Sequence, residues 1–296
     1  MALTQMALDS LDFDATVALA TKVAPHVDIL EIGTPCIKHN GVKFLEVLRA
    51  KFPNNKILVD LKTMDAGFYE AEPFYKAGAD ICTVLGCADI GTIKGVIDVA
   101  NKYGKECQVD LINVTDKAAR TVEVAKLGAH IIGVHTGLDQ QAAGQTPFTD
   151  LALVTGLNTG AKVSVAGGIK AATVAQVVTA GADIVVAGAA IYGAADPAAS
   201  AAEITALARG TTASTGGIKK FLPWIAIAAA VLIGLTLLKK PAEPAPEAAP
   251  AAVEAPAPAA EMAAPAAEMA PPADAAMQPS SEMAAPAEAA PVDPAK

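Results

Sequence analysis

Several things are scarce in this 296-residue chain, and each scarcity excludes something. Aromatic residues make up 4% of it while apolar residues reach 53%. An interior must therefore be built from Ala, Val, Ile and Leu, the usual filling of parallel sheets covered on both faces. Basic residues do not gather beyond two lysine pairs, so the positive field that a nucleic-acid backbone requires is missing and no nucleic-acid partner is expected. The four cysteines, Cys36, Cys82, Cys87 and Cys107, follow no zinc-ligand spacing. A reduced, cytosolic body is the simplest reading. The stretch MALTQMALDSLDF has no basic start followed by an apolar run, so no signal peptide is expected.

The formal charge of −9 is unevenly spread. Residues 241–296 hold 13 of the 20 prolines and nine acidic side chains against Lys296 alone, which leaves residues 1–240 nearly neutral. Composition divides the chain into a globular body over 1–210, a linker over 211–218, an apolar segment bounded by lysine pairs over 219–240, and an Ala/Pro/Glu-rich tail over 241–296.

In the body, short apolar runs recur at 4–9, 27–32, 56–61, 80–85, 107–112, 130–135, 162–167 and 183–188, each followed by a helical stretch. The joints KAGADI, KLGAHI and TAGADI, two units apart, each supply a glycine that can end a helix in the left-handed region before a strand begins. Eight strand-helix units in about 210 residues predict an α/β fold of the (β/α)8 TIM-barrel type. The rival is an open doubly wound sheet, which would place a glycine-rich turn after the first strand. Here that turn is ALDSLD, and the glycine turns follow the seventh and eighth strands as Gly167-Gly168 and Gly188.

Barrels of this type carry their chemistry at the C-terminal strand ends. The polar residues expected there are Asp9, Glu31, Asp60, Lys62, Asp110 and His135, with Asp65 on the loop that follows the third strand. The run DLKTMD sets two carboxylates, Asp60 and Asp65, around the Lys62 ammonium, and a lysine so placed stays a cation, which disfavours Schiff-base chemistry and suits stabilisation of a developing enediolate oxygen. Glu31 and Asp60 offer hard oxygen ligands of the kind Mg2+ takes, and His135 is the natural proton carrier. Asp9 taken alone reads more readily as a solvated rim residue or a helix cap than as a catalyst. Asp110 reads as a residue that orients a loop and is left outside the primary cluster.

The run Asp60-Leu61-Lys62-Thr63-Met64-Asp65 resembles the D-x-K-x-x-D motif of the orotidine-phosphate decarboxylase superfamily. MALD at 6–9, EIGTP at 31–35, CADIGTIKGVIDVA at 87–100, HTGLDQQAAG at 135–144 and VAGGI at 165–169 resemble its 3-hexulose-6-phosphate synthase branch. That resemblance implies an aldol-type condensation of formaldehyde with D-ribulose 5-phosphate to D-arabino-hex-3-ulose 6-phosphate. It implies metal contacts from Glu31 and Asp60, enediolate stabilisation by Lys62, proton transfer by His135, and phosphate binding at Gly167, Gly168, Gly188 and Ala189. It further implies a homodimer in which Asp65 reaches the neighbouring subunit's site. The nearest relative activity is 3-keto-L-gulonate-6-phosphate decarboxylase. That branch carries Arg and Thr where this chain has Leu138 and Ala166, and Arg where it has Ala189.

The run FLPWIAIAAAVLIGLTLL, residues 221–238, is 18 uncharged residues flanked by Lys219-Lys220 and Lys239-Lys240. It predicts a single transmembrane helix of roughly 27 Å, with the barrel on the cytoplasmic side and a disordered tail beyond. A second reading makes the barrel a dimeric carrier for this C-terminal membrane or assembly module.

Overall fold

The structure, a computed structural model, describes residues 1–211. Eight parallel strands close a barrel in sequence order: β1 (Leu3–Leu8), β2 (Ile29–Ile32), β3 (Lys56–Thr63), β4 (Ile81–Leu85), β5 (Glu106–Asp110), β6 (Ile131–His135), β7 (Lys162–Ala166) and β8 (Ile184–Ala187). Around it lie α1 (Phe13–Val23), α2 (Thr34–Asn40), α3 (Val42–Lys51), α4 (Gly67–Lys76), α5 (Ile90–Lys102), α6 (Lys117–Lys126), α7 (Leu138–Ala142), α8 (Phe148–Gly156), α9 (Ala171–Thr179), α10 (Ala189–Tyr192) and α11 (Pro197–Ala208). The barrel expectation holds, and the open sheet is excluded because β1 pairs with β8.

Alternation along the strands divides the interior in two. Outward residues such as Met6, Leu30, Val59, Cys82 and Val109 are fully buried against the helices. Inward residues Ile29, Leu58, Ile81, Ile131, Ile184 and Val186 fill the barrel itself. Aspartates at 12, 89, 116 and 196 cap α1, α5, α6 and α11 by accepting a first-turn backbone N–H.

The three glycine joints behave as their spacing predicts. Gly78, Gly128 and Gly181 all have positive φ, and the next residue donates its N–H five positions back, from Ala79 to Phe74, Ala129 to Val124 and Ala182 to Val177. A further fourfold repeat follows them. The residue before each even strand ties together its odd neighbours: the side chains of Asp28, Asp80, His130 and Asp183 accept the N–H of Thr4, Ile57, Cys107 and Val163. Their carbonyls accept from Lys56, Glu106, Lys162 and Leu3, at the start of the next odd strand. This ring of bonds fixes the strand register at the N-terminal end and so aligns the C-terminal ends where the polar residues stand.

Among the described residues no helix is long and apolar enough to cross a membrane. The apolar segment 221–238 and the tail 241–296 lie outside the described residues, as does nearly all of the linker.

Candidate active site

Counting upward along the inward face of each strand leads to one place. Asp9 follows β1, Glu31 sits on β2, Asp60 and Lys62 on β3, Thr83 on β4, and Asp110 and His135 end β5 and β6. Most of these side chains, with the turns after β7 and β8, line a cavity of about 600 Å3 at the C-terminal mouth. Nine residues expected from the sequence meet there: Asp9, Glu31, Asp60, Lys62, His135, Gly167, Gly168, Gly188 and Ala189.

Lys62 is the electrostatic centre. Its ammonium is in contact with Asp60 and lies 3.4 Å from Asp110 Oδ2. Burial alone would push the amine down, but Asp60 and Asp110 outweigh it and hold the group well above its ordinary value. It is therefore a permanent cation. The expectation that Asp65 supplies a carboxylate beside this lysine needs correction for the single chain. Asp65 is exposed, accepts the Ala66 N–H at 2.7 Å and borders a shallow groove with Phe68 and Asp89. Lys62 and Ala66 both have positive φ, +47° and +49°, so the chain turns sharply on either side of it. Asp110 occupies the place beside Lys62 that sequence spacing gave to Asp65.

Asp110 also answers the question of what orients His135. It is buried, takes the Ile112 N–H at 2.9 Å on Oδ1 and meets His135 Nδ1 at 2.8 Å on Oδ2. Burial opposes its charge, yet His135 and Lys62 hold its carboxyl below the usual range. An ionised carboxylate only accepts, so Nδ1 carries the hydrogen and Nε2 of neutral His135 is left as the base. Burial lowers the pKa of His135, but the Asp110 bond and charge prevail and raise it. The signal that could have found Asp110 was parity: it lies two residues beyond Gln108, on the same inward face.

The acidic side of the mouth has too little positive charge. Glu31 is buried and accepts the Gln5 amide at 2.7 Å, with the Lys62 charge a weaker support. Burial first and Asp60 second push its carboxyl up to about 8, and burial with Asp60 also raises Asp9. Asp9 is no helix cap, since Asp12 caps α1. Instead Gly33 makes room for it: a Cβ there would stand 2.0 Å from Asp9 Oδ1. Among the described residues no group of three or more His, Cys, Asp or Glu could hold a metal ion by itself. The set Glu31 and Asp60 is instead of the kind that contributes two hard oxygens and leaves the rest to water or substrate, as Mg2+ commonly does.

On the opposite side the mouth is backbone. Gly167 has φ +113° and Gly168 φ +68°. A Cβ on Gly167 would come 2.5 Å from the Thr136 carbonyl oxygen, so only glycine fits. A turn of this kind can bring amide groups to an anion without a cationic side chain.

Several known proteins are similar to the chain. It is 88% identical to 3-hexulose-6-phosphate synthase of Methylomonas aminofaciens over 184 residues, 62% of this chain and 88% of that one. It is 47% identical to the enzyme of that name from Mycobacterium gastri over 180 residues, 61% of this chain and 86% of that one. The solved structure of 3-hexulose-6-phosphate synthase from Salmonella typhimurium superposes with a TM-score of 0.67 at 40% identity, covering 70% of this chain and 99% of that one. The profile of the Orotidine 5'-phosphate decarboxylase / HUMPS family matches residues 3–204, and the chain belongs to that family.

Proposed function

We propose that this chain condenses formaldehyde with D-ribulose 5-phosphate to form D-arabino-hex-3-ulose 6-phosphate, a 3-hexulose-6-phosphate synthase reaction. The observation that carries the proposal is the mouth cluster, in which a permanent Lys62 cation lies beside a base, His135, whose tautomer is fixed by Asp110. The 88% identity to a synthase supports the same activity.

The reaction needs a proton removed from C1 of the pentulose, charge stabilised on the resulting enediolate, and a proton returned to the former formaldehyde oxygen once the new carbon-carbon bond has formed. His135 takes the proton at Nε2 and can give it back, which balances the sequence without an external acid. Lys62 stabilises the enediolate oxygen, since a cation already held in place by carboxylates needs no reorganisation as charge develops. Glu31 and Asp60 would hold Mg2+, with Asp9 close by; when bound it would supply Lewis acidity toward the substrate oxygens. The amides around Gly167-Gly168 and Gly188-Ala189 would take the phosphate. Leu138 stands 73% exposed at the rim and Ala166 ends β7, so neither position offers the guanidinium or hydroxyl expected of the decarboxylase branch.

Two further roles complete the proposal. The exposed Met64, Phe68 and Tyr69 around Asp65 would face a second copy of the chain, forming a homodimer whose Asp65 side chains complete one another's sites. Residues 221–238 would anchor the chain in a membrane, with the barrel on the cytoplasmic side; the flanking lysine pairs and Trp224 support this.

The test is formaldehyde consumption by the full chain with D-ribulose 5-phosphate, with Mg2+ and after chelation. Consumption that depends on the divalent ion is expected. A folded chain that consumes none overturns the synthase reading, and full activity after exhaustive chelation overturns the metal.

A further inference from the structure

The geometry of the mouth depends on a residue that carries no charge. β3 and β4 pair at Val59 with Cys82 and next at Thr63 with Val84, so three residues of β3, Asp60 to Lys62, face Thr83 alone. Within this bulge Lys62 adopts φ +47°, a left-handed conformation that a non-glycine residue holds only when its surroundings impose it. Thr83 supplies that constraint. Its side chain is buried, its hydroxyl donates to Asp60 Oδ1 at 2.7 Å, and Thr83 Oγ1 itself accepts the Lys62 N–H at 2.9 Å. Asp60 Oδ2 meanwhile receives the Thr34 hydroxyl at 2.7 Å and the Lys62 ammonium.

One oxygen thus ties the backbone of Lys62 to the carboxylate that holds the Lys62 side chain. The ring runs from Thr83 Oγ1 to Asp60, from Asp60 to the ammonium, and back through Lys62 to its own N–H. We infer that Thr83 is a positioning residue for the reaction: its hydroxyl maintains the bulge that aims the Lys62 ammonium and fixes the plane of the Asp60 carboxylate. This rests on the functional reading above, in which Lys62 and Asp60 act on the substrate.

The physical case is one of satisfaction. Without the hydroxyl, a half-buried N–H and a buried carboxylate oxygen lose their partners, and a strained bulge is the first place to relax. Valine has the shape of threonine and no hydroxyl, whereas serine keeps the hydroxyl and drops a methyl group.

The experiment compares Thr83→Val, Thr83→Ser and the unaltered full chain by two readouts: steady-state condensation, and hydrogen exchange of individual β3 and β4 amides. In Thr83→Val we expect kcat to fall about 10²-fold with KM for D-ribulose 5-phosphate within about threefold. The Lys62 amide should exchange at least about tenfold faster while Val59 and Cys82 keep their protection. Thr83→Ser should restore both readings to within about threefold of the unaltered chain. Thr83→Ala replaces the valine variant if valine fails to fold. The inference is overturned by a valine variant with unaltered kcat, by unchanged exchange at Lys62, by loss of protection along the whole β3–β4 ladder, or by serine failing to restore the rate. If the unaltered chain shows no condensation, the functional reading falls, and exchange at Lys62 alone decides the role of Thr83.

Discussion

Replacing Asp110 by Asn removes one charge and changes no volume, which makes it the sharpest probe of how the base is set. In the structure each carboxylate oxygen has its own donor, Ile112 N–H at 2.9 Å and His135 Nδ1 at 2.8 Å. An amide can accept on one oxygen only, so its NH2 must face one of these donors. Either the backbone N–H loses its acceptor, or His135 must accept at Nδ1 and thereby take the wrong tautomer. Losing one bond to a charged acceptor in a buried site costs about 1.5–3 kcal/mol, which is about 10- to 150-fold in kcat/KM. The direction in pH follows as well. Asp110 is what raises His135 above 6.5, and burial alone would lower it. With the charge gone, the acid limb of the kcat/KM profile, where the base must be neutral, moves to lower pH. Because Lys62 keeps Asp60, the loss of stability should stay within about 3 kcal/mol. The assay is condensation kinetics across pH with a thermal melt of the same samples. A stationary or upward-shifted acid limb, or unaltered kcat/KM, refutes the assignment of Asp110 as the residue that orients the base.

Other perturbations have equally definite outcomes. Lys62→Ala should cut turnover by at least about 10³-fold while the chain stays folded, because Asp60 keeps two threonine hydroxyls and Asp110 keeps its imidazole; full activity in this variant contradicts its role. Gly167→Ala places a methyl group 2.5 Å from a backbone carbonyl at φ +113°, so a thermal melt should show a loss of at least about 2 kcal/mol, and a wild-type midpoint contradicts the geometry. His130 accepts the Cys107 N–H through Nδ1, and burial lowers its pKa below 6.5. A base lowered in this way contributes its stability above 6.5 and loses it as pH falls from there toward the folded value, since only the unfolded chain gains the proton. His130→Asp would match Asp28, Asp80 and Asp183, and should flatten the stability loss as pH falls below about 6.5; an unchanged slope contradicts the repeat.

Much of the barrel was legible in the sequence because strand and helix periods differ and the joints repeat. Gly78, Gly128 and Gly181 are left-handed where KAGADI, KLGAHI and TAGADI placed them. The third strand runs two residues beyond the expected 56–61, to Thr63, because the bulge lets pairing resume at Val84. The fourfold ring at the opposite end is not legible in the sequence, since His130 stands where its counterparts are aspartates and the joint before Asp28 has no glycine.

At the site, residues named by strand-end position were found together, because alternation alone decides whether a side chain faces the barrel. Two assignments turned on local backbone that no spacing encodes. Asp65 is near Lys62 in sequence but lies between two turns, at Lys62 and Ala66, whereas Asp110 is 48 positions away and comes close through strand order. Thr83 carries no charge and so gave no signal until its bonds were seen.

The central claim is that one cluster at the barrel mouth removes the C1 proton of D-ribulose 5-phosphate before any carbon-carbon bond forms. Proton NMR of D-ribulose 5-phosphate with the full chain in deuterated water, Mg2+ present and formaldehyde omitted, tests it directly. The account predicts enzyme-dependent loss of a C1 proton signal, slowed by Asp110→Asn and abolished by Lys62→Ala. No exchange in an unaltered chain that still condenses added formaldehyde, or undiminished exchange in the Lys62→Ala variant, would contradict it.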